Sequence, residues 1–225
     1  MTRKTKLTFA LVIGMGLIAA ASPLIYFHVQ SNGYITVRNP DSSTSYTVPS
    51  DWAASALVLP VGHGAWGGLV DYGDTKCGNL GVNLGSVATS PYPPTGPTAD
   101  PETAVRTLLP EIVTEVVGGG SSGITRDKPG PVRGVTSANG VTGAAIDIQL
   151  RGAYPECGPG HEIDRDIFTL LAFPSKESNG HQIMSMIWAS IEYSGGLNGI
   201  KPLTQGTLQD ITDSIRVGEV TPPAS

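Results

Sequence analysis

Positive charge is scarce in this sequence. Its 14 Lys and Arg are outnumbered by 19 Asp and Glu, which gives a formal net charge of −5 at pH 7. No basic block follows the first six residues, and this argues against nucleic acid as a partner. Neither G-x-x-x-x-G-K-[ST] nor G-x-G-x-x-G stands after a predicted strand, so we expect no nucleotide cofactor.

A long apolar run lies near the N-terminus. Residues 7–27, LTFALVIGMGLIAAASPLIYF, carry no charge and follow Arg3, Lys4 and Lys6. At about 1.5 Å per residue, a helix of this length crosses the core of a bilayer. The positive flank should remain in the cytoplasm, which places the rest of the chain outside it. The pattern predicts a transmembrane signal-anchor over residues 7–27.

A cleaved signal peptide is the alternative to this anchor. Leu7–Ile18 would be its apolar region, and 19–21, three alanines, would be its cleavage site. The apolar run continues to Phe27, which favours retention over secretion after cleavage near Ala21. No cysteine ends the run, so the usual bacterial lipid attachment is absent.

Cysteine is nearly absent: Cys77 and Cys157 are the only two. In an oxidising compartment an isolated pair most simply forms a disulfide. The bond would close a loop of about 80 residues and stabilise the fold by about 4 kcal/mol in the chain-entropy model. A catalytic or metal-binding thiol is the alternative, which no C-x-x-C spacing supports.

Abundant glycine (29) and proline (18) predict many turns. Residues 85–99, GSVATSPYPPTGPTA, predict a loop. A helix is expected next, with Asp100 as its cap and an apolar stripe from Val105 to Val116. Pro110 should kink or split this helix, and Gly118–Gly120 should end it.

The second half of the sequence predicts an antiparallel sheet followed by a closing helix. Asn139-Gly140 is a hairpin turn signal, and Ile183–Ile191 is apolar on both faces, which predicts a strand covered on both sides. The expected fold class is α+β, a mostly antiparallel β-sheet flanked by helices and preceded by one N-terminal transmembrane helix. The other predicted strands are 45–49, 56–59, 67–72, Val132–Ser137, Ile146–Leu150 and Ile167–Phe173, and the closing helix is Thr204–Val217.

Two fragments are similar to parts of a serine hydrolase. LVLPVGHGAWGG (57–68) resembles an oxyanion loop, and GGSSG (119–123) matches G-x-S-x-G with Ser121 as the nucleophile. His181 or His63 would be the base. A nucleophile elbow needs a strand before the serine and a helix after it, whereas GGSSG follows a helical stripe and precedes prolines and glycines. We therefore favour a strand edge and turn for HGAWGG, with Trp66 packing on the sheet.

Acidic residues are dense near the second cysteine. Glu156, His161, Glu162, Asp164 and Asp166 lie within eleven residues. Such carboxylates are the ligands that calcium prefers. EF-hand spacing and a second histidine at i+4 for zinc are both lacking, so we expect a solvated loop and no metal.

Aromatic residues in predicted loops are the remaining candidates for a ligand site. Trp66, Tyr72, Tyr92 and Tyr154 belong to this group, because loops carry binding residues more often than cores do. Packing is the favoured role for each of them.

The arrangement resembles the PsbP-like α/β/α sandwich, over about residues 44–218. Within that fold it resembles exported, membrane-anchored domains of unknown function from actinobacteria. The shared motifs are a VP-x-x-W entry, a cysteine after a tyrosine-glycine stretch (DYGDTKCG), a late cysteine (PECGPG) and the helix end SIRV. Ile215 stands where a leucine is usual, and Val217 where a proline is usual.

This resemblance implies a binding or accessory module and transfers no catalytic residue. The expected function is a non-enzymatic extracytoplasmic module on the bacterial cytoplasmic membrane, with an envelope protein, lipid or glycan as partner. A secreted serine hydrolase using Ser121 is the alternative. The expected organisation is a cytoplasmic stub (1–6), the anchor (7–27), a tether (28–43) with an extended piece at Tyr34–Val37, the folded domain (44–218) and a loose tail (219–225).

Overall fold

The computed structural model describes residues 26–29, 33–55, 58–77, 80–116, 124–153, 162–177, 179–192 and 200–218. Every strand pairing within these residues is antiparallel. The predicted α+β class, a mostly antiparallel sheet with helices, is confirmed. In chain order the elements are β1 (Tyr26–Val29), β2 (Tyr34–Asn39), β3 (Thr44–Pro49), β4 (Ala53–Ala54), β5 (Leu59–Val61), β6 (Gly64–Tyr72), β7 (Thr75–Cys77), β8 (Leu80–Val82), β9 (Gly85–Tyr92), a 3-10 turn (Gly96–Thr98), α1 (Pro101–Val116), β10 (Thr125–Arg126), β11 (Arg133–Thr136), β12 (Thr142–Ala153), β13 (Glu162–Lys176), β14 (Gln182–Glu192), α2 (Gln205–Ser214) and β15 (Arg216–Val217).

The larger sheet has the order β10-β12-β13-β14-β9-β6-β4. β11 also pairs with β12, and β5 also pairs with β6. The outer edges of the long strands β12 and β6 are therefore covered by short strands, β10 and β11 on β12, and β4 and β5 on β6. Such cover limits edge-to-edge pairing with other chains.

A smaller sheet, β1-β2-β3-β15, forms a second layer with α2 beside it. α1 covers the opposite face of the larger sheet, in contact with β12 and β13. The predicted flanking by helices holds for α1. The other flank consists of a sheet with one helix at its side.

β14 separates the two resulting cores. Met186 and Trp188 face α1, whereas Ile187 and Ala189 face the smaller sheet and α2. All four are almost completely buried. The prediction that this strand is covered on both faces is confirmed.

α1 is one continuous helix, so of the two effects expected of Pro110, a kink or a split, the split is wrong. Asp100 caps the helix by accepting a hydrogen bond from the Thr103 amide at 2.9 Å. Hydrogen bonding by the Thr103 side chain, and then by its amide, lowers the pKa of the Asp100 carboxyl. Proline removes one helix hydrogen bond. Buried stripe residues on both sides of Pro110, including Leu109 and Ile112, hold the two halves against the sheet.

The loop predicted at 85–99 is half wrong, because Gly85–Tyr92 is β9, a central strand between β14 and β6. Its small polar residues suggested a surface position. In the fold, Thr89 of this strand is satisfied by polar residues of another layer: its hydroxyl accepts hydrogen bonds from Asn39 Nδ2 (2.8 Å) and Ser42 Oγ (2.9 Å). This buried polar layer fixes the β2–β3 turn on the larger sheet.

The closing helix is shorter than predicted. Thr204 is its N-cap, accepting from the Thr207 amide, and the helix ends at Ser214. Arg216 and Val217, predicted to be helical, form β15 on β3. Buried Ile215 lies between the two elements.

The folded domain begins earlier than residue 44. The predicted tether, 28–43, contains part of β1 and all of β2, and Val37 is completely buried. Alternation of apolar and polar residues over 34–39 is the physical reason, since it gives one face to the core. Residues 1–25, with most of the predicted anchor, lie outside the described residues, while Tyr26 and Phe27 belong to β1. Among the described residues no helix has the length and apolarity to cross a membrane.

Candidate functional site

The HGAWGG segment forms a hairpin turn and a bulged strand, as the favoured interpretation predicts. His63 lies in the turn between β5 and β6, and Trp66 is completely buried, stacked on Trp188 with ring centroids 4.6 Å apart. Gly68, with φ +61°, lies in a β-bulge of β6. Its carbonyl accepts a hydrogen bond from the buried Tyr46 hydroxyl. The glycine pair thus makes a docking point for the smaller sheet.

Replacing Tyr46 with phenylalanine should therefore destabilise the fold. The substitution removes the donor to the Gly68 carbonyl and leaves a buried acceptor unsatisfied, which costs about 1–2 kcal/mol. Urea denaturation of the full chain measures the change in unfolding free energy. Tyr34→Phe is the matched control, because Tyr34 is 38% exposed. Equal losses in the two variants would contradict the role given to the Tyr46 hydroxyl.

The two candidate histidines lie in exposed turns. The side chain of His63 is 88% exposed, with its Nε2 3.9 Å from Glu111 Oε1. That of His181 is 79% exposed, with its Nδ1 3.8 Å from Glu177 Oε2. Both turns lie at the end of the sheet where β9 finishes, with β9 between them. Ser121 lies outside the described residues, so the hydrolase stays an untested hypothesis.

The predicted disulfide is equally untested. Cys77 ends β7, and Cys157 lies outside the described residues. Of the predicted acidic loop, Glu156 and His161 also lie outside the described residues, whereas Glu162, Asp164 and Asp166 belong to β13, so the loop prediction is wrong for these three. In the described part of the chain, no three His, Cys, Asp or Glu side chains are placed to hold a metal ion.

The candidate aromatic residues mostly belong to the interior. Trp66 and Tyr92 are buried in the α1-side core. Tyr72 is half-buried beside Trp52, with ring centroids 5.8 Å apart, and its hydroxyl donates to the Lys201 carbonyl at 3.3 Å. Tyr154 lies outside the described residues. Packing is therefore the role of the two buried rings.

A concave site lies on the outer face of the smaller sheet. We call it the arginine groove, and its volume is about 380 Å³. No carboxylate is among its described lining residues, although the chain as a whole is acidic. The lining consists of Thr36, Arg38, Ser45, Tyr46, Thr47, Ala138, Ser214 and Arg216.

Strand register places the two arginines on either side of one serine. Ser45 of β3 pairs with Arg38 of β2 and with Arg216 of β15. Directly paired residues point to the same face of a sheet, with neighbouring strands about 4.8 Å apart. The guanidinium-bearing side chains of Arg38 and Arg216 therefore flank the Ser45 hydroxyl in one row.

Two hydroxyls in the groove are available to a ligand. The side-chain hydroxyls of Ser45 and Thr47 are half-buried and make no hydrogen bond to any described residue. Ser214, in contrast, is engaged: its Oγ accepts from the Thr47 amide at 2.8 Å and donates to the Ile211 carbonyl at 2.7 Å. The groove thus contains one hydroxyl, that of Ser214, which hydrogen bonds hold in place, and two, those of Ser45 and Thr47, which can donate to a ligand.

The hairpin turn Asn139-Gly140 holds the far wall in place. Asn139 Nδ2 donates to the Val217 carbonyl at 2.7 Å, and its Oδ1 accepts from the Val217 amide at 3.0 Å. The Ala138 amide donates to the Ile215 carbonyl at 2.7 Å. Among the described strands, β15 (Arg216–Val217) pairs with β3 alone. The bonds from Asn139 to Val217 hold β15 on its other side, and Asn139 thereby positions Arg216 at the groove.

Asn139→Ala should accordingly loosen the strand that carries Arg216. Loss of two side-chain hydrogen bonds should cost about 1–2 kcal/mol. Amide hydrogen exchange of the peptide containing Val217 measures the effect and should be faster in the variant. Asn179→Ala is the matched control, because it removes a turn asparagine that bonds Glu177 and His181 between β13 and β14 and makes no contact with Val217. Unchanged exchange at Val217 in Asn139→Ala would exclude the positioning role.

Carboxylates cluster at a different place, on the α1-facing side of the larger sheet. Asp166 of β13 pairs with buried Glu192 of β14. Burial, and then the charge of Glu192, raises the pKa of Asp166 to about 8. Its Oδ1 has no hydrogen-bond partner in the described part of the chain. Asp71 lies on the same face, and burial raises its pKa to about 6. Because burial raises the pKa of Asp166 and of Asp71, these two carboxyls should make stability depend on pH.

The sequence profile of one protein family, "Domain of unknown function (DUF8017)", matches residues 29–219. The chain belongs to the DUF8017 family. The family match begins within β1, and so it includes β2 and the rest of the segment predicted as a tether. All described lining residues of the arginine groove fall inside it.

No curated protein matches this DUF8017 chain in sequence. Among solved structures, the Ran-binding protein Mog1p of Saccharomyces cerevisiae is similar over 86% of this chain and 96% of its own. The identity is 11% and the TM-score 0.38. A TM-score of this size does not establish a shared fold.

Sequence reasoning missed the arginine groove in this DUF8017 chain. Arg38 fell in a predicted tether, and Arg216 fell in a predicted helix. The usable signal was the alternation over 34–39, which puts Arg38 on the wet face of a strand. No sequence signal pairs Arg216 with Ser45, because that contact joins the two ends of the domain.

Proposed function

We propose that this chain is a non-enzymatic binding module on the outer face of the bacterial cytoplasmic membrane, anchored there by the part of the apolar run 7–27 that precedes β1. Its arginine groove binds an anionic group of an envelope component. The apolar run after Arg3, Lys4 and Lys6 supports the anchor and its orientation. The resemblance to exported PsbP-like α/β/α sandwiches supports a binding or accessory role, and a Cys77–Cys157 disulfide would suit the extracytoplasmic compartment.

One observation carries the binding part of the proposal. Arg38, Ser45 and Arg216 form a single row across three strands, within a groove whose described lining has no carboxylate. Guanidinium groups match the geometry of phosphate and carboxylate oxygens and form charge-assisted hydrogen bonds with them. The Ser45 hydroxyl between them adds a neutral donor.

The ligand chemistry that fits is a compact anion such as a phosphate. Two guanidinium groups supply more donors than one carboxylate can accept, whereas phosphate oxygens offer several acceptor sites. Phosphate-bearing lipids and glycans belong to the partner classes expected for an envelope module.

Inorganic phosphate should stabilise the full chain against heat. The measurement is the melting temperature in neutral-detergent micelles, in phosphate compared with chloride at equal ionic strength. A ligand that binds the native state raises the melting temperature in proportion to the logarithm of its excess.

Ser45→Glu is the matched variant for this measurement. It keeps both arginines and places a carboxylate between them, so it should remove the phosphate effect. An equal rise in the wild type and the variant, or no rise in either, would refute the groove as the site.

The serine hydrolase alternative has its own direct test. An activated serine is phosphonylated by fluorophosphonate probes: its oxygen bonds to phosphorus, fluoride leaves, and a neighbouring base takes the hydroxyl proton. We expect no labelling of the full chain. Labelling that disappears in Ser121→Ala, and is weakened in His181→Ala or His63→Ala, would replace the binding proposal with the hydrolase.

A further inference from the structure

The end of the predicted membrane span lies beside the arginine groove. β1 pairs with β2 so that Tyr26 is opposite Arg38 and His28 is opposite Thr36. The apolar run that predicts the span leads directly into β1, because Tyr26 and Phe27 are strand residues, so an anchored chain leaves the bilayer next to Tyr26. Since strands are about 4.8 Å apart, the groove extends from roughly 5 Å to roughly 15 Å from the point where an anchored chain leaves the bilayer.

The groove is lined by two positively charged side chains, although the chain as a whole is acidic. Beyond the N-terminal stub the sequence has 11 Lys and Arg and 19 Asp and Glu, which leaves a net charge of −8. An anionic membrane repels such a domain as a whole. It attracts only a local cationic site close to its surface, because ionic screening acts over about 8 Å in physiological salt.

From this position and this charge we infer that the ligand of the groove is the phosphate of an anionic phospholipid in the membrane that anchors the chain. The inference rests on the proposed function and names its ligand. A phospholipid phosphate has two non-bridging oxygens that share one negative charge. Arg38 and Arg216 donate to these oxygens from opposite sides, and Ser45 donates from the floor of the groove between them.

The size of the groove agrees with a headgroup ligand. Its volume of about 380 Å³ lies at the lower end of the range for small-ligand sites and exceeds the need of a bare phosphate. The Thr47 hydroxyl, which bonds no described residue, lies next to Ser45 on the same face and is available to a headgroup hydroxyl. Binding in this manner holds the smaller sheet against the bilayer and directs the α1-covered face away from it.

Arginine footprinting on the full chain tests the inference. The chain is inserted into nanodiscs of phosphatidylcholine alone, or of phosphatidylcholine with phosphatidylglycerol. Phenylglyoxal then modifies accessible arginines, and mass spectrometry gives the rate at each one. Arg106 and Arg133, whose side chains are exposed and line no part of the groove, are internal controls.

We expect phosphatidylglycerol to slow modification of Arg38 and Arg216 by about tenfold or more, since each arginine near an anionic surface contributes about 1 kcal/mol. The rates at Arg106 and Arg133 should not change. In Ser45→Glu the protection should disappear, although the distance from the bilayer is unchanged. Equal rates in both nanodiscs, or protection that persists in Ser45→Glu, would overturn the inference.

Inorganic phosphate added to phosphatidylcholine nanodiscs separates this inference from the proposed function. Protection by free phosphate without protection by phosphatidylglycerol would leave an anion site and reject the lipid. Absence of protection in both arms would reject the anion site as well.

Discussion

Asp166→Asn is expected to stabilise the protein at about pH 8 and to have little effect at about pH 4. The pKa of Asp166 is raised to about 8 by burial and by the charge of Glu192. Between about pH 4 and pH 8 the folded state therefore retains a proton that the unfolded state releases, and stability falls as pH rises. Above about pH 8 the carboxylate is charged in both states and the loss is complete. Asparagine removes this dependence because it carries no charge.

The measurement is the difference in melting temperature between Asp166→Asn and wild type across this pH range. We expect the stabilisation by Asp166→Asn to grow by at least about 1 kcal/mol between about pH 4 and about pH 8. For a chain of this size, that corresponds to a melting-temperature difference that grows by about 3 °C. Asp210→Asn, at an exposed position of α2, is the charge-matched control. A difference independent of pH, or equal to that of the control, would show that Asp166 titrates normally.

Replacing both groove arginines with glutamine should weaken phosphate binding by at least about tenfold. A hydrogen bond to a charged group contributes about 1.5–3 kcal/mol, and the double variant removes two such donors. Isothermal titration calorimetry of the full chain in neutral detergent measures the dissociation constant. Glutamine keeps much of the side-chain length, so the fold of the smaller sheet should be unaffected.

The matched control is the double variant Arg106→Gln with Arg133→Gln. It changes the net charge equally, at two exposed ion pairs outside the groove, and such pairs contribute little to stability. A similar loss of affinity in both double variants would assign binding to overall charge. An unchanged dissociation constant in Arg38→Gln with Arg216→Gln would remove both arginines from the site.

The strands of the larger sheet were predictable where the apolar pattern of the sequence matches the burial of the strand in the fold. Ile183–Ile191 is apolar on both faces and is covered on both faces as β14. β9 was not predictable in the same way, because Thr89 and its serine neighbours favour a loop by themselves. They are accommodated in a central strand because Asn39 and Ser42 satisfy the Thr89 hydroxyl from another layer. The Ser90 hydroxyl likewise donates to the Ala65 carbonyl of β6.

The candidate site lay beyond sequence reasoning for a related physical reason. Arg38 and Arg216 are 178 positions apart in the sequence, and they share a face only through their common partner Ser45. Asn139 holds the second arginine's strand, a role that its turn signal does not reveal. Local periodicity predicts that Arg38 lies on the solvent-facing side of its strand. That Arg38 and Arg216 lie on either side of Ser45 depends on the pairing of β2 and β15 with β3, which no local pattern predicts.

The most direct test of the arginine groove is a titration of the full chain with inorganic phosphate, followed by NMR of the arginine Nε–Hε groups in neutral-detergent micelles. The account predicts that the signals of Arg38 and Arg216 shift together and saturate with one dissociation constant, while those of Arg106 and Arg133 stay in place. Small, unsaturated shifts spread over all arginines would mean general charge screening and would contradict a binding site in the groove.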